Sequence, residues 1–199
     1  METKTNFNSQ ANNTRERILE IATNLFAEKG YAGTYVREIV EKAGVSKPAL
    51  YYYFQSKEGL FYAILDWALD VQRDVLNEVY EASGTVLDRL IFLYRRIYEG
   101  IQEYHSLYKM IHGLIYGPPQ GAPQYDFYKF QAEMFVAVKR IYADGLSAGE
   151  IKDANEDEVA FLVLSLFDFC LNIETVFPEM ADPRRPERLL RLAFQGLRA

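Results

Sequence analysis

Three consecutive tyrosines, Tyr51 to Tyr53, stand in a short segment between Lys47 and Lys57. A phenol hydroxyl can reach a phosphate oxygen while its ring packs against sugars and thymine methyl groups, and a lysine neutralises phosphate charge. The two lysines are spaced to bracket a groove, and exposed helix N-termini add N–H groups that favour phosphate. The chemistry that these residue types offer is the binding of duplex nucleic acid.

Two short helices are predicted to position these residues. The first runs from about Tyr35 to Ala43 with Thr34 as its cap, and the second from about Lys47 to Phe54. Gly44-Val45-Ser46 separates them, because glycine permits the left-handed backbone of a tight turn and serine caps the next helix. A preceding helix from Arg15 to Lys29 completes a three-helix unit of the helix-turn-helix type.

The third helix of this unit has an inner and an outer side at about 100° per residue. Leu50 and Phe54 share the inner side and are predicted to be buried, with Tyr53 half-buried. The outer and flanking positions are Pro48, Ala49, Tyr51 and Tyr52. A helical bundle that merely exposes tyrosines is the competing interpretation.

Composition restricts the function classes. The 199 residues carry a net charge of −6, which argues against a chain that coats nucleic acid over its whole surface. Residues 1–56 carry 7 Lys/Arg against 6 Asp/Glu, whereas residues 57–199 carry 15 against 22, so the acidity lies in the C-terminal part. A single Cys excludes an internal disulfide framework and a Cys-rich zinc module. Because no apolar stretch has the length of a membrane span or an export signal, we expect a cytoplasmic protein.

One segment resembles the DNA-binding region of the TetR family of transcriptional regulators. It is TRERILEIATNLFAEKGYAGTYVREIVEKAGVSKPALYYYFQSKEGLF, from Thr14 to Phe61. The matching features are the GY before the second helix, the AGVSK turn, the LYYYF run and the following SKE. The resemblance covers about the first third of the chain. Pro48 stands where glycine is common in the family, and Val40 where alanine is common.

The resemblance implies a homodimer that binds a palindromic operator and represses transcription until a small ligand in the C-terminal domain releases it. It divides the chain into a DNA-binding domain at 14–60 and an effector-binding and dimerisation domain at 61–199. The residues implied in the major groove are Lys47, Pro48, Ala49, Tyr51 and Tyr52. The implied phosphate anchors are Thr34, Tyr35 and Lys57.

Helical spacing continues through the rest of the chain, near 57–81, 85–103, 105–115, 124–147, 156–177 and 184–197. The predicted fold class is therefore all-α, with about nine helices. The last two helices are apolar over wide faces and are predicted to form a four-helix dimer interface. Its candidate residues are Leu166, Phe169, Ile173, Leu189, Leu190, Ala193, Phe194 and Leu197. The alternative is that both helices only complete a monomeric core.

A ligand pocket is the other expectation for this region. The aromatic content of the middle of the chain suits an aromatic or apolar effector. The candidate residues are Tyr98, His105, Tyr108, His112, Asp168, Asn172 and Glu174. Asp168 and Asn172 share a polar strip that is equally suited to a solvent-exposed side. The two histidines lack nearby carboxylate or Cys ligands, so no metal or cofactor is predicted.

Catalytic motifs are not found. The sequence contains no G-x-S-x-G elbow, no phosphate-binding glycine loop and no H-E-x-x-H. Cys170 lies in an apolar helix, which is a poor setting for a reactive thiolate. The predicted function is therefore a DNA-binding repressor. An activator, a regulator that answers a protein partner, and a helical enzyme stay open as alternatives.

Overall fold

The structure is a computed structural model that describes residues 3–180 and 182–195, without the side chains of 3–12, 174–176 and 178. Its helices are α1 (Thr3–Gly33), α2 (Val36–Ala43), α3 (Lys47–Phe54), α4 (Lys57–Glu81), α5 (Val86–Glu103), α6 (His105–Tyr116), α7 (Tyr128–Ser147), α8 (Glu156–Val176) and α9 (Arg185–Gln195). A short 3₁₀ helix, Pro178–Met180, lies between α8 and α9. The described part of the chain contains no β-sheet, which confirms the all-α prediction.

Local capping signals explain several of the helix boundaries. Ser46 Oγ accepts a hydrogen bond from the Ala49 N–H at 3.3 Å, and Asn155 Oδ1 accepts from the Asp157 and Glu158 N–H groups. The beginning of α1 differs from the prediction, because the helix starts at Thr3 rather than near Arg15. The segment between Thr3 and Arg15 contains no Pro or Gly, so no strong helix breaker separates it from the rest of α1.

The contacts of the chain define two compact units. The first contains the chain up to Asp70 together with Glu103–Asp126, and the second contains Val71–Gln102 together with the chain from Phe127. This division places α6 and the connection after it with the N-terminal helices, unlike the predicted boundary at residue 60. The functional division into 14–60 and 61–199 stays a prediction.

The first unit is built around the N-terminal helices. Buried apolar side chains of α1 pack with those of α2 and α3: Ile18, Ala22, Leu25, Phe26, Ile39, Ala43, Leu50 and Phe54. Val45 in the turn is half-buried. Burial of these side chains supplies the driving force that holds two eight-residue helices, which would not be stable alone.

The second unit has a larger apolar core. Its buried side chains come from the second half of α4 and from α5, α7, α8 and α9, and include Leu90, Leu93, Ile141, Val163, Phe167, Leu190 and Phe194. Arg89 is also buried here, and its Nη1 donates to Asp144 Oδ2 at 2.7 Å. Among the helices described, none is both long and apolar enough to span a membrane.

Candidate nucleic-acid interface

A left-handed turn joins α2 to α3. Gly44 has φ 62° and ψ 37°, and its N–H donates to the Glu41 carbonyl. A Cβ at this position would meet no atom within 4 Å. Glycine is therefore favoured here by the backbone conformation and not by lack of space.

The two sides of α3 differ as the helical spacing predicts. Leu50 and Phe54 are buried against the three-helix core, whereas Tyr53 is half-buried. The exposed residues of α3 are Lys47, Pro48, Tyr51 and Tyr52, and Ala49 is half-buried. The structure thus confirms the predicted orientation of this helix, while contact of these residues with DNA stays a prediction.

The tyrosines form a projecting aromatic surface. The Tyr52 side chain is 83% exposed, and its ring meets the Tyr53 ring edge to face at 5.2 Å between centroids. Lys47 Nζ lies 5.8 Å from the centroid of the Tyr51 ring. Tyr35, at the N-cap of α2, is 70% exposed and makes no side-chain capping bond. The exposed tyrosine hydroxyls and the Lys47 ammonium group can therefore contact a DNA duplex without a rearrangement of the protein.

Thr34 is the clearest correction to the predicted phosphate anchors. Its side chain is 0% exposed, and Oγ1 lies 2.9 Å from the Gly30 carbonyl oxygen and 3.1 Å from that of Leu25. Tyr35, rather than Thr34, occupies the N-cap position of α2. The prediction that Thr34 anchors a phosphate is wrong, because its hydroxyl is enclosed and donates within the chain.

Lys57 also makes contacts that the sequence did not predict. Its Nζ donates to the Tyr31 carbonyl oxygen at 2.5 Å and lies 4.1 Å from the centroid of the Tyr31 ring. The ring in turn packs edge to face on Phe61 at 5.2 Å. Partial burial lowers the pKa of the Lys57 ammonium group. This lysine therefore ties the first turn of α4 to the end of α1.

Three residues outside the predicted set, Ser56, Gly59 and Arg37, lie at the candidate interface. A Cβ at Gly59 would lie 2.1 Å from the Phe54 carbonyl oxygen, so only glycine allows the end of α3 to approach α4 this closely. Ser56 Oγ accepts from the Gly59 N–H at 2.9 Å. Arg37 is exposed in the first turn of α2, next to Tyr35. Arg37 could have been predicted as a phosphate contact, because it is a cation in the first turn of a helix with an exposed N-terminus.

The predicted dimer residues fall into three groups. Phe169 is 63% exposed, and Leu166, Ile173, Leu189 and Ala193 are half-buried. Leu190 and Phe194 are buried in the core of their own unit, so they are not available to a partner, contrary to the prediction. Leu197 lies outside the described residues. Leu162, which lies on the predicted apolar side of α8, is exposed, and so are Phe161 and Leu192, which were not predicted.

The predicted ligand residues are divided between the units. His105, Tyr108 and His112 lie on α6 in the first unit, where the Tyr108 and His112 rings are 5.8 Å apart. Tyr98 stacks on Tyr94 in the second unit.

Asp168 and Asn172 belong to the second unit as well, one turn apart on α8. The Asn172 amide donates to the Asp168 carbonyl oxygen at 2.9 Å. The Glu174 side chain lies outside the described part. The role of all seven residues in binding a ligand stays a prediction. Among the described residues, no three His, Cys, Asp or Glu side chains are grouped to hold a metal ion.

Comparison with known proteins agrees with this architecture. Residues 18–64 match the family described as bacterial regulatory proteins, tetR family. The repressor KstR2 of Mycobacterium tuberculosis is 35% identical over 101 residues, which are 49% of this chain and 48% of the relative. The match thus spans about half the length of the curated relatives.

Solved structures extend the similarity over nearly the whole chain. CprB, a TetR family protein from S. coelicolor A3(2), is 25% identical with a TM-score of 0.72, over 96% of this chain and 91% of that protein. A gamma-butyrolactone receptor described as ArpA-like is 26% identical with a TM-score of 0.70, over 95% and 90% of the two chains. These relatives are regulators and receptors, not enzymes. The N-terminal helices thus match the TetR family model, and nearly the whole chain is similar in fold to solved TetR family structures.

Proposed function

We propose that this protein is a transcriptional repressor that binds a palindromic operator as a homodimer and is released by a small molecule. The observation that carries the proposal is the exposed tyrosine and lysine face of α3, presented by a helix whose opposite face is buried. A helix held in this way can enter the major groove with its first turns toward the bases.

Recognition would combine few charges with aromatic contacts. The outward part of α3 provides Lys47 as its cation and no Arg or Asn that could contact a base edge in a bidentate manner. Lys47, the hydroxyls of Tyr51 and Tyr52, and the shape of the DNA would together select the operator. Tyr35 and Arg37 would contact the flanking phosphates from the N-terminus of α2.

A twofold-symmetric dimer would supply a second α3 helix for the second half of the operator. Phe161, Leu162 and Phe169 on α8 and Leu192 on α9 are exposed apolar side chains that a second copy would bury. The α3 helices of the two protomers, related by this symmetry, would contact half-sites one duplex turn apart, ~34–36 Å.

Relatives support the regulatory part of the proposal. KstR2 is a repressor, and the ArpA-like protein is a receptor for a gamma-butyrolactone. By analogy, a small effector would bind the DNA-free shape of this protein more tightly than the DNA-bound shape, and so release the operator. Such a role places the protein in the cytoplasm with the DNA.

A mobility-shift experiment tests the proposal on fragments that the wild-type protein retains from a library of bacterial genomic DNA. Tyr52→Ala should weaken binding about tenfold, which is within the ~1–3 kcal/mol of a specific base contact. Tyr52→Phe separates the hydroxyl from the ring. Tyr128→Ala is the matched control, because Tyr128 is 74% exposed but lies on α7 in the second unit. Equal binding by the Tyr52→Ala and wild-type proteins would refute the assigned face.

A further inference from the structure

The backbone that leads from α1 into α2 is fixed at consecutive residues. Gly30 has φ 71° and ψ 171°, so the helix is kinked here. Its carbonyl oxygen accepts a hydrogen bond from Thr34 Oγ1 at 2.9 Å, and that of Tyr31 accepts from Lys57 Nζ at 2.5 Å. Because α2 begins only a few residues later, at Val36, the path of this segment determines where α2 begins.

A loop from another part of the sequence holds the next residue, Ala32. The Ala32 N–H donates to the backbone carbonyl oxygen of Gln120 at 3.2 Å. Gln120 lies in the loop after α6, residues 117–127, and α6 packs on α1. The N-terminal helices, α6 and this loop up to Asp126 belong to the same compact unit. Three consecutive residues at the end of α1 are thus bound by three different parts of the first unit.

The Gln120 side chain lies between the end of α6 and the kink of α1. Its Nε2 donates to the Gly113 carbonyl oxygen at 3.1 Å. A Cβ at Gly30 would lie 3.0 Å from Gln120 Oε1, and a Cβ at Gly113 would lie 3.2 Å from Nε2. A side chain at either glycine would therefore push the amide away, so both glycines make room for Gln120.

The rest of the loop has little conformational freedom. Pro118, Pro119 and Pro123 each have one fixed backbone angle. Further along, the Tyr62 hydroxyl donates to the Gln124 carbonyl oxygen at 3.3 Å. The loop therefore loses little conformational entropy when Gln120 holds the end of α1.

We propose that Gln120 is a positioning residue for DNA binding, which holds the end of α1 and thereby fixes the start of α2. Tyr35 and Arg37, the proposed phosphate contacts of α2, follow the held segment directly in the chain. Gln120 acts on them through the backbone, by ordering the start of α2 before DNA arrives. The effect on DNA binding rests on the proposed function, whereas the contact of Gln120 with Ala32 does not.

Amide hydrogen exchange on the full-length protein measures this contact. Gln120→Met keeps the length of the side chain but removes the amide that anchors the loop to α6. The Ala32 N–H should then exchange about three- to tenfold faster. Gln124→Met is the matched control and should leave the exchange unchanged, because Gln124 is exposed in the same loop and accepts from Tyr62 through its backbone carbonyl. Unchanged Ala32 exchange in Gln120→Met, or equal acceleration in both variants, would overturn the proposed contact.

A mobility shift on the genomic fragments that the wild-type protein retains measures the positioning role. At a temperature where circular dichroism shows every variant folded, Gln120→Met should bind about three- to tenfold more weakly. Gln124→Met should bind like the wild type. The slope of log affinity against log salt should stay at the wild-type value, because the same phosphate contacts form once the segment is ordered. Wild-type affinity in Gln120→Met would leave Gln120 a purely structural role, and a lower slope would make it a phosphate contact.

A reversible disulfide tests whether holding the segment is sufficient. A Cβ at Gly121 would lie 3.6 Å from Ala32 Cβ, within the ~3.5–4.5 Å of disulfides. In the Gln120→Met protein, Ala32→Cys with Gly121→Cys should bring operator affinity to within about twofold of the wild type when oxidised, and reduction should weaken it again. The two forms share one chain, and with it any strain at Gly121, whose φ is 62°. Equal affinity of the oxidised and reduced forms would overturn the positioning role.

The two kinds of measurement separate this inference from the proposed function. If the wild-type protein retains no genomic fragment while Ala32 exchange is accelerated in Gln120→Met, the repressor proposal fails and only the contact remains. If fragments are retained while Gln120→Met changes neither Ala32 exchange nor affinity, the role of Gln120 fails and the repressor proposal stands.

Discussion

Helices α3 and α8 both carry large side chains on their buried and exposed sides, but only on α3 do the residue types of the two sides differ. On α3, apolar Leu50 and Phe54 face inward, and the exposed rings carry hydroxyl groups. On α8, Phe167 is 2% exposed and Phe169, two residues later, is 63% exposed. Residue type therefore separates the faces of α3, because burying a hydroxyl without a partner is costly, but it cannot separate the faces of α8.

The largest expected effect tests this contrast within α8. Phe167 packs edge to face on Tyr94 at 5.1 Å in the core. Phe167→Ala should lower the free energy of unfolding by about 3–5 kcal/mol, because it leaves a cavity. Phe169→Ala is the matched control and should cost less than about 1 kcal/mol per protomer when unfolding is measured under monomeric conditions. Similar costs for the two variants would remove the distinction between an inner and an outer face.

The next effect concerns the outer face of α8. Phe161→Glu with Phe169→Glu should give monomers in sedimentation, because each dimer would have to bury four carboxylates. Loss of the second half-site should then weaken operator binding by about 100-fold, or ~2.7 kcal/mol. Phe194→Glu should instead unfold the protein, since Phe194 is part of the core. A dimeric double variant would show that the interface lies elsewhere.

A smaller effect distinguishes the two lysines that flank the tyrosines. Lys47→Met should lower the slope of log affinity against log salt by about 0.9, as expected for loss of one phosphate contact. Lys57→Met should leave the slope unchanged and lower the thermal midpoint, because it removes the contacts with Tyr31. A reduced slope in the Lys57 variant would restore its predicted role as a phosphate anchor.

The smallest effect concerns two glycines with equal space around them. Gly44→Ala should destabilise the protein by about 1 kcal/mol, because a side chain must adopt a left-handed backbone. Gly100→Ala should stabilise it by roughly 0.5–1 kcal/mol, since Gly100 lies within α5 and a Cβ there also meets nothing within 4 Å. Chemical denaturation measures both, and two changes of the same sign would contradict the role of the Gly44 backbone.

Much of the helix-turn-helix formed by α2 and α3 could be predicted from local signals. Gly44, Ser46 and the spacing of Leu50 and Phe54 predicted the turn, the cap and the buried side of α3, and the structure has all three. The roles of Thr34 and Lys57 could not be predicted in this way. Thr34 contacts the Leu25 carbonyl nine positions away, and Lys57 contacts the Tyr31 carbonyl 26 positions away, so these contacts depend on how α2 and α4 meet α1.

The sequence by itself determined the all-α class, the helix-turn-helix and the outward side of the tyrosine-bearing helix. These features depend on capping, backbone conformation and helical periodicity, which act over a few residues. The tertiary structure decided which phenylalanines of α8 are buried, that Leu190 and Phe194 belong to the core, and that Gln120 meets the end of α1. Those outcomes depend on which helices become neighbours, because an apolar face has the same composition whether it meets its own chain, a second copy or a ligand.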